Sequence, residues 1–147
     1  MLRFEGSETF PLAPAHVYAK LADAGWLARA LPDAEVTEAE ADRAAWKVRP
    51  KFSFMSGVLD TTAEITGRGA DPAAVRYRIA SRGVGSSSAV DAELTVRPID
   101  NGCTVQWSGD VTELGGLLKM VPRGLVQAAV QKVIEDVWQS VRGKLAA

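Results

Sequence analysis

The sequence predicts an α+β protein in which a seven-stranded antiparallel sheet is combined with two short helices and a long C-terminal helix. Three observations support this class. Residues 34–112 alternate between apolar strand patterns and turn sequences, residues 125–145 carry apolar side chains at helical spacing, and prolines interrupt residues 11–32. In a chain of 147 residues, this order of elements predicts one domain spanning residues 1–147.

The N-terminal segment predicts one strand followed by two short helices. The strand covers residues 2–10 and ends at Pro11, and Pro14 suits the first turn of the helix PAHVYAKLA. Asp23 is placed to cap a second short helix, AGWLARAL, which ends before Pro32.

Six more strands and a long helix are predicted downstream. The strands cover residues 34–40, 43–52, 55–66, 74–82, 86–97 and 102–112, and they are separated by turn sequences such as GRGADP, RGVGSSS and PIDNG. LGGLLKMV is expected to form a separate turn or short helix. The last helix is predicted to carry one apolar stripe, formed by Leu125, Val126, Ala129, Val130, Val133, Val137, Val141 and Leu145.

The apolar residues of VRPKFSFMSGVLDTTAEI change parity halfway along this stretch. Val48 and Phe52 are even, whereas Met55 and Leu59 are odd, and a single strand cannot keep both sets on one face. A hairpin with a two-residue or four-residue loop around residues 53–54 reconciles them, because such a loop reverses the parity. Phe54 is then expected at the tip of a loop.

In an antiparallel meander, four loops gather at one end of the sheet, around residues 32–33, 53–54, 83–85 and 114–118. Several apolar side chains fall in these loops, so we predict that this end is the mouth of a pocket or a docking surface. Lys119 and Arg123 lie among them, and this mixture fits either contact with an anionic bilayer or a lid over the pocket. The predicted mouth residues are Phe54, Val84, Leu114, Leu117, Leu118, Met120 and Arg123.

Strand parity also predicts which side chains face the interior. Wide aromatic residues and small residues share this face, which indicates a pocket lined by side chains, although plain core packing explains each residue taken singly. The small inward residues are Gly57, Thr61, Ser86, Ser88 and Gly109. The predicted pocket residues are Glu8, Trp26, Phe52, Leu59, Tyr77, Ile79, Val90, Trp107, Val111 and Val130.

Glu8 is the one acidic residue predicted on this inner face. Burial would favour its neutral form, which can donate a hydrogen bond to a ligand carbonyl. The alternative is a solvated strand end or a bulge.

Composition argues against several classes of function. The net charge is −1, which does not favour a nucleic-acid partner, and the single Cys103 and single His16 exclude a metal site built from cysteines or histidines. No nucleophile, base and orienting group occur together, so no catalytic residue, metal or cofactor is predicted. The N-terminus lacks the apolar run of a signal peptide, so we expect a cytoplasmic protein, with peripheral contact to the inner membrane face left open.

Five short motifs point to a known family: FEG at 4–6, proline at 11, PAHVYAKL at 14–21, LARALPDAE at 27–35 and GGLLKMVPRGLV at 115–126. The chain resembles the START-like superfamily (SRPBCC, or Bet v 1-like helix-grip proteins). Within that superfamily it resembles the family of the G subunit of carbon monoxide dehydrogenase. This resemblance implies a curved antiparallel sheet that wraps a long C-terminal helix around a cavity.

The resemblance also implies a function. Members of the family accompany molybdenum hydroxylases, are implicated in the membrane attachment of these enzymes, and are proposed to carry quinone-like lipids. The expectation is therefore a non-enzymatic carrier of a lipid or quinone-like molecule, or a membrane-recruiting accessory of a molybdenum hydroxylase. Two alternatives stay open: a polyketide cyclase-like or hydrolase-type enzyme that uses Glu8 or Tyr77 in the same pocket, and an interaction module with a filled interior.

Overall fold

A computed structural model describes residues 2–49 and 57–146 of the chain. Within these ranges seven strands and three α-helices confirm the predicted α+β class. In chain order the elements are β1 (Arg3–Phe10), α1 (Pro14–Leu21), α2 (Ala24–Ala30), β2 (Glu35–Ala39), β3 (Arg43–Val48), β4 (Leu59–Ala70), β5 (Ala73–Gly83), β6 (Ser86–Ile99), β7 (Gly102–Gly116), a 3₁₀ turn (Leu117–Met120) and α3 (Arg123–Ala146).

The strands form one sheet in the order β1-β7-β6-β5-β4-β3-β2, and every neighbouring pair is antiparallel. The register shifts in three of these pairs, β2–β3, β4–β5 and β6–β7. Such irregularities bend strands and increase their twist. The sheet is therefore curved, and the three helices pack against its concave face.

The two short helices begin where the sequence predicts. Pro14 occupies the first turn of α1, where the missing N–H is not needed. Asp23 caps α2, and its side chain accepts a hydrogen bond from the backbone N–H of Trp26 at 3.1 Å.

Three hydrophobic clusters join the helices to the sheet. One lies against α1 and the C-terminal part of α3, the second lies under α2, and the third lies under the N-terminal part of α3. The buried members of the first cluster are Phe10, Val17, Leu21, Ala30, Val96, Cys103, Val105, Val141 and Leu145. Those of the second are Ala24, Ala28, Ala44, Ala63, Val75 and Tyr77, and those of the third are Leu2, Phe4, Val111 and Val126.

The register of β3 and β4 confirms the predicted reversal of parity. Ala44 lies opposite Ala63, and Val48 lies opposite Leu59, so even residues of β3 share a face with odd residues of β4. The loop itself, with the predicted positions of Phe52 and Phe54, lies outside the described residues.

Some predicted boundaries were wrong. β7 continues to Gly116, so Leu114 is a half-buried strand residue and not a loop residue. In α3, Leu125 and Val133 are 49% and 43% exposed, although the predicted stripe included both. Ile134 and Trp138 pack against the clusters in their place, because the buried face is rotated from the predicted one.

The convex face of the sheet is polar and charged. One row of cross-strand partners runs over six strands and consists of Arg43, Glu64, Arg78, Asp91, Asp110 and Arg3. Ion pairs join Arg43 to Glu64, Arg78 to Asp91 and Arg3 to Asp110 along this row. A surface of this kind is well solvated, which leaves the concave face and the ends of the sheet as candidate sites for an apolar ligand.

Candidate functional site

The predicted mouth end is formed by the β5–β6 turn, the 3₁₀ turn and the first turn of α3. Val84 and Gly85 connect β5 to β6 and have φ angles of 54° and 71°, as in a type I′ hairpin turn. The N–H of Leu117 donates to the carbonyl oxygen of Gly85 at 3.0 Å, which brings the 3₁₀ turn onto this hairpin. A Cβ atom on Gly57 would lie 3.1 Å from Val84, so the start of β4 is also here.

This end exposes apolar side chains. Leu117 is 56% exposed, Met120 is 81% exposed, and Leu125 on the first turn of α3 is nearly half exposed. Val84 and Leu118 are half-buried. The large apolar residues that face water here are therefore mainly those of the 3₁₀ turn and the start of α3.

A cleft of about 270 Å³ opens beside the 3₁₀ turn. It brings together four of the predicted site residues, Val111, Leu114, Leu118 and Arg123, and its other walls are Leu2, Lys119, Val121 and Val126. Lys119 and Arg123 are exposed, and neither forms an ion pair with another described residue. The cleft thus combines apolar walls with two cations that can meet an anion.

The centre of the concave face contains a seam between two of the hydrophobic clusters. Ile79 on β5 lies directly opposite Val90 on β6, but Ile79 packs with the cluster under α2 and Val90 with the cluster under α3. Both side chains face the helices, and both stay half-buried. The helices therefore leave the two central strands incompletely covered at this point.

Toward the other end of the concave face, aromatic side chains fill the space between β1, β7 and α3. The rings of Trp107 and Trp138 lie 6.4 Å apart, and those of Trp138 and Phe10 lie 6.2 Å apart. A Cβ atom on Gly6 would lie 2.7 Å from the Trp107 ring, so the glycine allows the indole to approach the backbone of β1 closely. The indole Nε1 of Trp107 is buried, and the described part of the chain offers it no hydrogen-bond partner.

Glu8 lies on the concave face of β1, as its parity predicts, and is held by α3. Its carboxylate accepts a hydrogen bond from Nη2 of Arg142 at 3.1 Å, while Nη1 of the same residue donates to the carbonyl oxygen of Thr9 at 2.8 Å. The Arg142 guanidinium also lies 4.4 Å from the centroid of the Phe10 ring. This is the geometry of a carboxylate that accepts hydrogen bonds, unlike the neutral donor that the sequence allowed.

Tyr77 is buried, and its hydroxyl group donates to the carbonyl oxygen of Leu21 at 2.6 Å, at the C-terminal end of α1. Burial raises the pKa of this phenol well above its usual value. Glu8 lies on β1, three strand spacings or about 14 Å from β5 across the sheet. The two residues considered as alternative acid/base groups, Glu8 and Tyr77, therefore lie in separate parts of the concave face.

The other predicted pocket residues divide between the clusters. Trp26 packs at the Phe10 end, Leu59 is half-buried at the mouth end of β4, and Val130 joins the cluster under α3. The sequence missed Trp138 and Ile134. Both residues lie at helical spacing from Val130, Val137 and Val141. If the predicted apolar stripe had been rotated by a few tens of degrees about the axis of α3, it would have included Trp138 and Ile134.

A second cleft, of about 550 Å³, lies at the far end of the sheet beside α1 and the β4–β5 hairpin. Tyr18, Arg68 and small residues line it, and it includes none of the predicted site residues. Within residues 2–49 and 57–146 there is no cluster of three or more side chains suited to a metal ion. None of the described helices is both long and apolar enough to cross a membrane.

Comparison with solved structures defines the class of fold. A conserved protein from Geobacillus kaustophilus superposes with a TM-score of 0.84 at 16% identity, covering 99% of this chain and 95% of that one. A START superfamily protein from Mycobacterium smegmatis gives 0.72 at 9% identity, covering 98% and 97%. The protein TTHA0849 from Thermus thermophilus gives 0.66 at 17% identity, covering 99% and 97%. The chain therefore has a START-like, helix-grip fold.

Comparison of the sequence with protein families identifies the particular family. The profile of CoxG, the G subunit of carbon monoxide dehydrogenase, matches residues 6–146, so the chain belongs to the CoxG family. A comparison with curated proteins finds no match. The family and the START-like fold together indicate a protein that binds a hydrophobic ligand.

Proposed function

We propose that the whole chain, residues 1–147, acts as one START-like domain that carries a lipid or quinone-like molecule without chemical turnover. The seam between Ile79 and Val90 supports this proposal most directly, because two inward aliphatic side chains stay half-buried between α2 and α3. An apolar ligand that covers them would remove apolar surface from water. Leu59, Val111 and Trp107 extend the same face in both directions.

The ligand would enter at the mouth end. The exposed Leu117 and Met120 favour insertion into the interface of a bilayer, and the exposed cations Lys119 and Arg123 favour anionic headgroups. Contact of this kind places the protein peripherally at the inner face of the membrane during loading. The family name supports a molybdenum hydroxylase, of the carbon monoxide dehydrogenase type, as the partner that this end recruits or supplies.

The alternative of a cyclase or hydrolase receives less support from the described residues. Both candidate acid/base groups are already engaged, Glu8 with Arg142 and Tyr77 with Leu21. A general acid or base needs a free position within hydrogen-bond reach of the reacting atom.

Native mass spectrometry of protein purified from its host tests the carrier function. We expect a retained apolar molecule at one copy per chain, which organic solvent extracts unchanged. Protein that carries no such mass and does not bind an apolar fluorescent probe would contradict the proposal.

Flotation with liposomes tests docking at the mouth end. The double variant Leu117→Asp with Met120→Asp is expected to lose binding to anionic vesicles, because two charges replace the inserting side chains. Ile99→Asp is the matched control, since Ile99 is also an exposed apolar residue, 45% exposed, at the opposite end of β6. Equal loss in both variants, or no loss in the double variant, would argue against this docking surface.

A further inference from the structure

A row of hydroxyl groups crosses the concave face just inside the mouth end. Thr61, Ser81 and Ser88 are cross-strand partners on β4, β5 and β6, and the Thr61 and Ser81 hydroxyl groups are 2.9 Å apart. Ser86 lies in the next row, one step closer to the mouth. We call these four residues the hydroxyl row. They share the concave face with Ile79 and Val90, and they lie next to the seam described above, on its mouth side.

Ser86 shows that the row has unused hydrogen-bonding capacity. It is only 6% exposed, and its Oγ has no hydrogen-bond partner within the described residues. Its partners across the sheet are two glycines, Gly83 and Gly116, so no neighbouring side chain in its row can reach the hydroxyl. A buried hydroxyl group without a partner is unfavourable, and such groups in folded proteins usually bind water or a ligand.

The described strand residues that flank the hydroxyl row on the same face are uncharged. The cross-strand row of Thr61, Ser81 and Ser88 continues to Trp46 and Leu114 at its two ends. The next row inward consists of Ala44, Ala63, Ile79, Val90 and Val111. The row toward the mouth contains only Val48, Leu59, Gly83, Ser86 and Gly116. An anionic group placed here would lose its hydration and meet no cation in these three rows, which is costly.

We propose that the hydroxyl row is the subsite for the polar end of an amphipathic ligand whose headgroup is neutral, such as an alcohol, ester or ketone. The apolar body of that ligand lies over Ile79 and Val90, and its oxygen accepts a hydrogen bond from the hydroxyl group of Ser86, Ser81 or Ser88. This inference rests on the proposed carrier function, and it adds the chemical class of the headgroup and the residues that select it.

Three probes with the same chain length test the inference: dodecan-1-ol, dodecanoate and dodecane, each measured by displacement of a neutral apolar fluorophore from the full-length protein. We expect dodecanol to bind about tenfold more tightly than dodecanoate, since a buried unpaired carboxylate costs at least as much as a lost hydrogen bond. Ser86→Ala should weaken dodecanol roughly fivefold and leave dodecane unchanged.

Ser87→Ala is the matched control, because Ser87 is the next residue on β6 and pairs with Arg82 and Gly115 on the opposite face. It should leave all three affinities unchanged. Thermal unfolding separates binding from a structural role: Ser86→Ala removes a hydroxyl that bonds to no described residue, so its Tm should stay the same or rise.

The outcomes distinguish the two proposals. If dodecanol and dodecane bind equally well to the wild type and to Ser86→Ala, the hydroxyl subsite is overturned and the carrier function stands. Tighter binding of dodecanoate would also overturn it and would place the headgroup at Lys119 and Arg123. A lower Tm with unchanged dodecanol affinity would assign Ser86 a structural role. If neither the fluorophore nor any of the three probes binds, both proposals fail.

Discussion

Arg142 on α3 forms an ion pair with Glu8 on β1, and this contact joins residues 134 positions apart in the chain. The same guanidinium lies over the Phe10 ring and donates to the backbone of Thr9, so one side chain ties the last helix to an edge strand. The closure of α3 over the sheet at this end therefore depends on a charged contact as well as on apolar packing.

The first prediction concerns this ion pair. Glu8→Gln should lower the free energy of unfolding by about 0.5–1 kcal/mol, since both side chains are partly exposed and water screens the pair. It should leave the affinity for dodecanol unchanged, because the Glu8 carboxylate already accepts a hydrogen bond from Arg142. Urea unfolding and probe displacement measure the two effects, with Glu113→Gln as a surface control, since Glu113 is exposed and forms no ion pair with another described residue. A large loss of ligand affinity with unchanged stability would show that Glu8 contacts the ligand, as the sequence predicted.

The second prediction concerns the contact between Gly6 and Trp107. Gly6→Ala would place a methyl group 2.7 Å from the indole ring, so the ring must move. We expect a loss of about 1–3 kcal/mol in stability and a change in tryptophan fluorescence. Gly67→Ala is the control, since a Cβ atom there meets nothing within 4 Å. Equal effects of the two substitutions would show that the Trp107 contact is not what constrains Gly6.

The third prediction concerns pH. Burial raises the pKa of Tyr77 in the folded protein, whereas the unfolded tyrosine loses its proton near pH 10. Above about pH 10 the unfolded chain therefore binds fewer protons than the folded one, and stability falls as the pH rises. Tyr77→Phe should flatten this alkaline fall.

At neutral pH, Tyr77→Phe should instead cost about 1–2 kcal/mol, because the carbonyl oxygen of Leu21 loses its donor. Chemical unfolding at pH 7 and pH 10.5 measures both effects. Tyr18→Phe is the matched control, since it removes the hydroxyl group of the second of the two tyrosines. An unchanged slope in Tyr77→Phe would show that other groups cause the alkaline fall.

The fourth prediction concerns the β5–β6 turn. Val84 has a φ angle of 54°, which is unfavourable for a β-branched residue, and asparagine followed by glycine suits this type of turn. Val84→Asn should therefore raise the stability by about 1 kcal/mol. Thermal unfolding measures the change, and a lower Tm would mean that contacts of the valine side chain outweigh the strain in its backbone.

The sequence was sufficient for the order and type of the elements. Pro14 and Asp23 mark the starts of α1 and α2 through local backbone chemistry, and the change of parity around residue 53 correctly placed Val48 and Leu59 on one face. The family motifs led to the same fold that the structural comparison shows. These features depend on residues close together in the chain, and a single sequence contains that information.

Only the tertiary structure decided which side chains meet across the concave face. The pairing of Glu8 with Arg142 and the packing of Trp107 near Trp138 depend on the curvature of the sheet and on the rotation of α3 about its axis. The helical spacing of apolar residues fixes the buried face of α3 only to within a broad stripe. For this reason the predicted stripe included the exposed Leu125 and left out Trp138. Ser86 is a further example. The neighbouring strands place glycines on both sides of it, so its buried hydroxyl has no hydrogen-bond partner among the described residues, and the sequence of β6 alone does not show this.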